Sequence, residues 1–205
     1  MRKSIHLLTW IMLAAMMFSI CGCAGSGMKE YKARPITGNE VIDAANGLTY
    51  TMDQKTLTAE KIINDMFGVK MEDTSSTPTN LTGLWTSYKT SISFCGIEFE
   101  RAYIVTNEKE EVYETGIFHD CSNEMEMYEV FESFETKVKE ALGKPDSKTD
   151  TDGKYGKSGY REFNMEDGSK LTIGYSIYDD EKTPPTYRIS FILRNETVMT
   201  RHHEY

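Results

Sequence analysis

Two short segments of this 205-residue chain contain side chains that could bind a metal ion. His119-Asp120-Cys121 places three potential zinc ligands in succession, whereas zinc sites draw on separated pairs with characteristic spacing. Residues 148–153, Lys-Thr-Asp-Thr-Asp-Gly, partly match a calcium-binding loop. Such a loop needs Asp at its first position and a bidentate Glu at its twelfth, and here these positions hold Lys148 and Gly159. We therefore expect no metal and no cofactor.

The sequence offers few candidates for a catalytic nucleophile. Cys121 would need a base, and His119 lies only two residues away, so on a strand the two side chains share a side without productive contact. There is no Gly-x-Ser-x-Gly segment, and no Gly-rich loop that could hold a phosphate opens a helix. A pair of catalytic carboxylates stays open among 32 acidic residues. We expect no catalytic residue, with a hydrolase of unrecognised site as the alternative.

Cys23 follows a basic start and a long apolar run. Met1-Arg2-Lys3 opens the sequence, residues 7–20 are almost entirely apolar, and Ile20-Cys21-Gly22-Cys23 follows. The apolar run is shorter than the roughly 20 residues that cross a bilayer, and it has the length of a signal-peptide core. This segment resembles the signal and lipobox of bacterial lipoproteins. The resemblance implies cleavage after Gly22, lipidation of Cys23, and an extracytoplasmic protein anchored to a membrane.

The charge balance argues against one class of partner, nucleic acid. It contains 23 basic and 32 acidic residues, for a net charge of −9. Removal of residues 1–22 takes away Arg2 and Lys3 and leaves 21 basic residues, for a net charge of −11. Such a chain is unsuited to nucleic acid, which is bound by neutralising phosphates. The expected partners are the lipid bilayer, through Cys23, and an unidentified envelope protein or ligand.

Apolar periodicity and turn residues divide the chain into four segments. We expect a signal peptide at 1–22, a lipidated tether at 23–38, a single α+β domain at 39–194 and a polar tail at 195–205. The first half of the domain predicts a turn at 46–47 and a short strand at 48–52. It then predicts a helix that ends at Gly68, a loop at 71–83, and strands at 91–94, 97–106 and 111–118.

The strongest local pattern predicts a helix from Glu124 to Leu142. Asn123 can cap it, with Glu126 closing a capping box, and Gly143 followed by Pro145 ends it. Apolar residues recur at steps of three and four on one stripe, at Met127, Phe131, Phe134, Val138 and Leu142.

The second half predicts a polar loop at 144–158 and three strands near 160–165, 171–177 and 187–193. Their alternation means that one face is buried, and the long helix is its natural cover. The expected fold is α+β, an antiparallel sheet with helices on one face, in the order helix, three strands, long helix, three strands. Over residues 56–194 this order resembles beta-lactamase-inhibitor-protein-like and small envelope lipoprotein domains. The likeness is one of fold only and transfers no functional residue.

Cys95 and Cys121 are the cysteines left after processing and lipidation. If a loop of three residues joins the strands at 97–106 and 111–118, the two cysteines face each other at a distance a disulfide can accept. A loop of two or four residues would instead place Gly96 opposite Cys121. Two small thiols that never bond are the alternative to a disulfide.

The main hypothesis is a surface-tethered binding or interaction module without catalytic activity. It rests on the anchor, on a sheet rich in Tyr and on the absence of a catalytic motif. A shallow aromatic sheet face would favour binding. A deep pocket with convergent carboxylates would favour the enzyme alternative.

Overall fold

The computed structural model describes residues 37–74, 84–153, 156–179 and 183–201. Within these residues the helices are Glu40–Thr49 (α1), Thr56–Phe67 (α2), Glu124–Leu142 (α3) and Glu196–Met199 (α4). The strands are Glu72–Asp73 (β1), Trp85–Phe94 (β2), Ile97–Thr106 (β3), Val112–Cys121 (β4), Ser147–Gly153 (β5), Gly156–Asn164 (β6), Lys170–Tyr178 (β7) and Thr186–Arg194 (β8). All eight strands form one antiparallel sheet, so the predicted α+β class is confirmed.

Two meanders meet at the centre of this sheet. The strand order is β1-β2-β3-β4-β8-β7-β6-β5, so each meander runs inward from one edge, and β4 pairs with β8. Helices α1 and α2 precede the first meander and α3 precedes the second. Compared with the predicted order, the structure adds one helix in front, one strand to each half and a short helix at the end.

The prediction of a turn and a strand at 46–52 was wrong, because α1 runs through Thr49. Asn39 caps α1 by accepting hydrogen bonds from two backbone N–H groups of its first turn. The buried apolar residues of α1 are spaced as on one helical face: Val41, Ala44, Ala45 and Leu48. Gly47 serves helix packing, since a Cβ there would lie 1.8 Å from Met66 Sδ of α2.

Helix α3 has the predicted bounds, Glu124–Leu142. Asn123 Oδ1 accepts a hydrogen bond from the Glu126 N–H at 3.0 Å, as expected of the cap. The Glu126 carboxylate accepts from the Ser122 N–H at 2.7 Å, one residue further back than a capping box requires. The helix packs on β4, β7 and β8, and four residues of the predicted stripe are buried: Met127, Phe131, Phe134 and Val138.

Four phenylalanines form the centre of the core between the helices and the sheet. Phe94 lies 5.1 Å from Phe99, 5.6 Å from Phe134 and 5.0 Å from Phe191, measured between ring centroids. Phe134 comes from α3 and the other three come from β2, β3 and β8. The alternation of the strands therefore places their apolar face under the helices, as the sequence indicates.

Two polar segments contain structure that the sequence did not indicate. The predicted loop at 144–158 includes β5, an edge strand in which every residue is exposed. Buried Arg161 of β6 connects it to α3 by donating to Asp150 at 2.9 Å and to Glu135 at 3.0 Å. The predicted polar tail begins with α4, where Val198 is buried. A strand exposed on both faces has no apolar alternation, so its pattern is that of a loop.

Candidate functional site

Of the predicted site residues, the structure describes Cys95 and Cys121. Cys23 lies outside the described residues. Cys95 occupies the two-residue turn between β2 and β3, with φ of 55°, beside Gly96 with φ of 78°. This pair of left-handed residues is typical of a tight hairpin turn. Cys121 ends β4, and both cysteines are buried free thiols.

The register that would have aligned the two cysteines is wrong. β3 and β4 pair Thr106 with Val112 and Arg101 with Phe118, two to three residues away from the predicted pairing. One cause is the turn, which holds residues 108–110 between the hydrogen-bonded Asn107 and Glu111. The other is a register shift next to Thr106. The paired residues of β3 and β4 end at Arg101 and Phe118, so neither cysteine lies in the paired region of these two strands. The register therefore gives no support for a disulfide between them.

The thiols are also poor nucleophiles. Burial, followed by the charge of Glu40, raises the pKa of Cys95 to about 11. Burial and three nearby carboxylates raise the pKa of Cys121 to about 12. Both groups are therefore protonated at neutral pH, whereas the reactive form of cysteine is the thiolate. His119 Nδ1 lies 2.8 Å from the carbonyl oxygen of Glu98 rather than against Cys121.

The two candidate metal segments form other contacts. Residues 148–153 belong to the exposed edge strand β5, and their Asp150 pairs with Arg161 and Lys148. Residues 119–121 lie along β4. Among the described residues, no group of three His, Cys, Asp or Glu side chains is placed to hold a metal ion.

A row of stacked side chains crosses the sheet face opposite α1–α3, which we call the open face. Trp85 of β2 stacks on Tyr103 of β3, with centroids 4.1 Å apart and 5° between the planes. Tyr103 stacks on Phe118 of β4 at 4.9 Å and 13°. The Arg188 guanidinium of β8 lies 4.9 Å from the Phe118 centroid. We call these four residues the ladder. Its spacing is close to that of neighbouring strands, about 4.8 Å, so the rings stack from one strand to the next; Tyr103 is buried within the row and Trp85 is exposed at its end.

Buried groups hold the central ring of the ladder. The Tyr103 hydroxyl donates to Glu114 Oε1 at 2.6 Å, and Glu114 also accepts a hydrogen bond from Arg194. Burial, followed by the charge of Glu114, raises the pKa of Tyr103 well above its usual value, so the hydroxyl remains a donor. Gly116 leaves room for the ring, since a Cβ there would lie 2.2 Å from Tyr103 Cε1. The central ring of the ladder is therefore fixed in place by buried contacts.

The first ring of the ladder was missed because β2 is longer than predicted. The strand begins at Trp85 and not near residue 91, and the Trp85 indole N–H donates to Ser87 Oγ at 2.9 Å. A register shift between Lys89 and Ile92 changes which residues of β3 point toward the core. As a result Phe99 points into the core, whereas Tyr103, four residues later, points to the open face. The break in alternation on β3 is the one signal that could have revealed this.

A groove of about 470 Å³ lies along the ladder. This volume is in the range of small-ligand sites, about 300–1,000 Å³. Asp120 bridges two of the groove's cations, with 2.5 Å to the Arg101 guanidinium and 2.7 Å to Arg188 Nε. Glu100 turns toward β4, where it accepts a hydrogen bond from the Asp120 N–H at 2.6 Å. Lys89 supplies the third cation of the lining.

No family model, curated protein or solved structure matches this chain. Among the described residues, no helix has both the length and the apolar character needed to cross a membrane. The α+β fold and the geometry of the open face are therefore the basis for any functional conclusion.

Proposed function

We propose that this chain is a lipid-anchored protein of the bacterial cell envelope that binds a partner through the open face of its sheet and catalyses no reaction. The observation that carries the proposal is the ladder with its groove. Trp, Tyr and Arg are the residues that most often dominate binding energy at interfaces. Here all three stand in one row, and Trp85 is 39% exposed.

The anchor in this proposal is Cys23, at the end of the lipobox-like segment. Each buried CH₂ group contributes about 0.8 kcal/mol, and a single chain gives only marginal membrane binding. Two or more acyl chains on Cys23 would hold the protein at the membrane. A tether of about 15 residues has an end-to-end distance of about 20 Å, which would keep the domain close to the membrane surface.

The enzyme alternative gains no support from the described residues. Both buried thiols are protonated at neutral pH because burial raises the pKa of each one. Glu100, the carboxylate in the groove lining, accepts a hydrogen bond from a backbone N–H, and Asp120 beside the groove is paired with two guanidinium groups. A catalytic acid and base would have to face a shared open space.

Site-specific crosslinking tests the binding face. A photoreactive phenylalanine derivative replaces Trp85, aromatic for aromatic, in the full chain within the producing cells. The control carries the same group at Met125, which is 70% exposed on α3. We expect a discrete adduct from position 85 and none from position 125. Adducts only from position 125, or none from either, would contradict the proposed binding face.

Replacement of Cys23 by alanine tests the anchor. We expect the variant to leave the detergent-requiring membrane fraction, either released or kept as an unprocessed precursor. A mature Cys23→Ala chain that still needs detergent for extraction would show that the lipobox interpretation is wrong.

A further inference from the structure

The groove contains two like charges that face each other across neighbouring strands. Lys89 of β2 is directly opposite Arg101 of β3 in the sheet register. Like charges in directly opposite positions destabilise a sheet. Glu72 of β1 lies on the other side of Lys89 but forms no ion pair with it. Within the described residues Lys89 therefore has no anionic partner, and an anion between the two cations would remove the repulsion.

Arg101 has unused hydrogen-bonding capacity. A guanidinium group carries five N–H donors, and Arg101 uses its Nη2 for Asp120. Its side chain is 56% exposed. Asp120 is shared, because Arg188 binds the same carboxylate through Nε and Nη2. Two guanidinium groups thus share one carboxylate. Their pairing with Asp120 shows that a carboxylate can be bound at this position.

The charged side chains of the groove are more accessible than its rings. The faces of Tyr103 and Phe118 are covered by their stacked neighbours, and Tyr103 is only 2% exposed. A neutral sugar would need free ring faces, and the ladder offers only the outer face of Trp85. Lys89 and Arg101 are both exposed, so a carboxylate finds an ammonium and a guanidinium group there.

We propose that this groove binds an extended acidic peptide segment of a partner protein, whose carboxylates pair with Arg101 and Lys89. This inference rests on the proposed function and specifies the partner of the same face. The ladder crosses four strands, or about 14 Å, which matches about four residues of extended chain. The cationic groove stands out on a chain with a net charge of −9, so charge complementarity directs an acidic segment to this site.

Binding of a blocked, fluorescent hexaglutamate peptide to the full chain in detergent micelles tests the inference. Fluorescence anisotropy gives the affinity at low salt. We expect saturable binding that weakens about tenfold in Arg101→Gln and in Lys89→Gln, since each loses a charge-assisted contact of about 1.4 kcal/mol. Asp120→Asn should strengthen binding several-fold, because it removes the internal carboxylate that competes for Arg101. Lys144→Gln removes an exposed lysine in the 143–146 connection, outside the groove, and should change nothing.

The opposite expected changes in affinity, weaker for Arg101→Gln and stronger for Asp120→Asn, separate a binding role from a structural one. If Asp120 only held the sheet together, its replacement would weaken binding along with stability. Equal affinities in Arg101→Gln, Lys144→Gln and the unaltered chain would overturn the inference, as would binding of polyphosphate or a neutral hexasaccharide in preference to hexaglutamate. Thermal melts establish that each variant is folded, and if Asp120→Asn unfolds, the exposed Arg101 and Lys89 variants still decide. A crosslink at position 85 without hexaglutamate binding would retain the proposed function and refute only the acidic ligand.

Discussion

Replacement of Phe134 by alanine gives a quantitative test of the core that supports the open face. The Phe134 side chain is 1% exposed, and its ring lies 5.6 Å, 6.0 Å and 6.1 Å from those of Phe94, Phe99 and Phe191. Truncating a buried Phe costs about 3–5 kcal/mol through lost burial and the cavity left behind. Three ring contacts, each worth about 0.5–1.5 kcal/mol, place this site in the upper half of that range. The expected loss is therefore about 4–5 kcal/mol.

Urea denaturation of the unlipidated mature chain measures this loss. A domain of this size has a total stability of about 5–15 kcal/mol, so the midpoint should fall strongly while the slope with urea stays unchanged. Met125→Ala on the same helix is the matched control. Met125 is 70% exposed, and its truncation should change the stability by less than about 0.5 kcal/mol. A loss below about 1.5 kcal/mol for Phe134→Ala would refute the placement of this ring at the centre of the core.

Three further outcomes are expected. Tyr103→Phe removes the hydroxyl that donates to buried Glu114 and should cost about 1–3 kcal/mol in urea melts; no loss would mean that water replaces the hydroxyl. In the mature chain, apart from Cys23, two thiols should be titratable after unfolding without reductant and unreactive in the folded state; none after unfolding would reveal a disulfide. Burial raises the pKa of Glu135, but hydrogen bonds from Lys139 and Arg161 hold it below 4.5. A lowered carboxyl pKa gives stability that is present above pH 4.5 and is lost as the pH falls through the folded value. Arg161→Met should therefore lose less stability than the unaltered chain between about pH 6 and pH 3, and an equal loss would count against the pair.

Helix α3 and strand β3 have the predicted bounds, 124–142 and 97–106. In α3 the apolar residues recur at the helical period because the other face of the helix meets solvent. The bounds of β3 were predictable because turn residues lie on both sides of it, at 95–96 and 107–110. The 46–52 segment failed for a related reason, since Asn-Gly is a turn signal in isolation. Packing of Met66 against Gly47 overrides that signal.

The open face was not predictable from periodicity. Its central strand β3 is buried on both sides near Tyr103, which removes the alternation that marks a face. The register shift between Lys89 and Ile92 then exchanges the faces to which later residues point. The facing of Cys95 and Cys121 failed for the same physical reason, because a single additional residue in a turn or a bulge moves every later pair. Such shifts depend on pairing between strands, which the order of residues in one strand does not show.

The strongest argument for a binding role is the contrast between the two halves of the same open face. The second meander presents small polar residues there, such as Ser158, Thr172 and Ser176, together with Tyr160 beside Gly174. Residues of that kind suffice for a sheet face that meets water. The first meander belongs to the same sheet, yet it carries the three rings of the ladder, the Tyr103–Glu114 hydrogen bond, and a pair of facing cations. The fold does not require these features, and the facing cations oppose it, so they support the proposed binding role of this face.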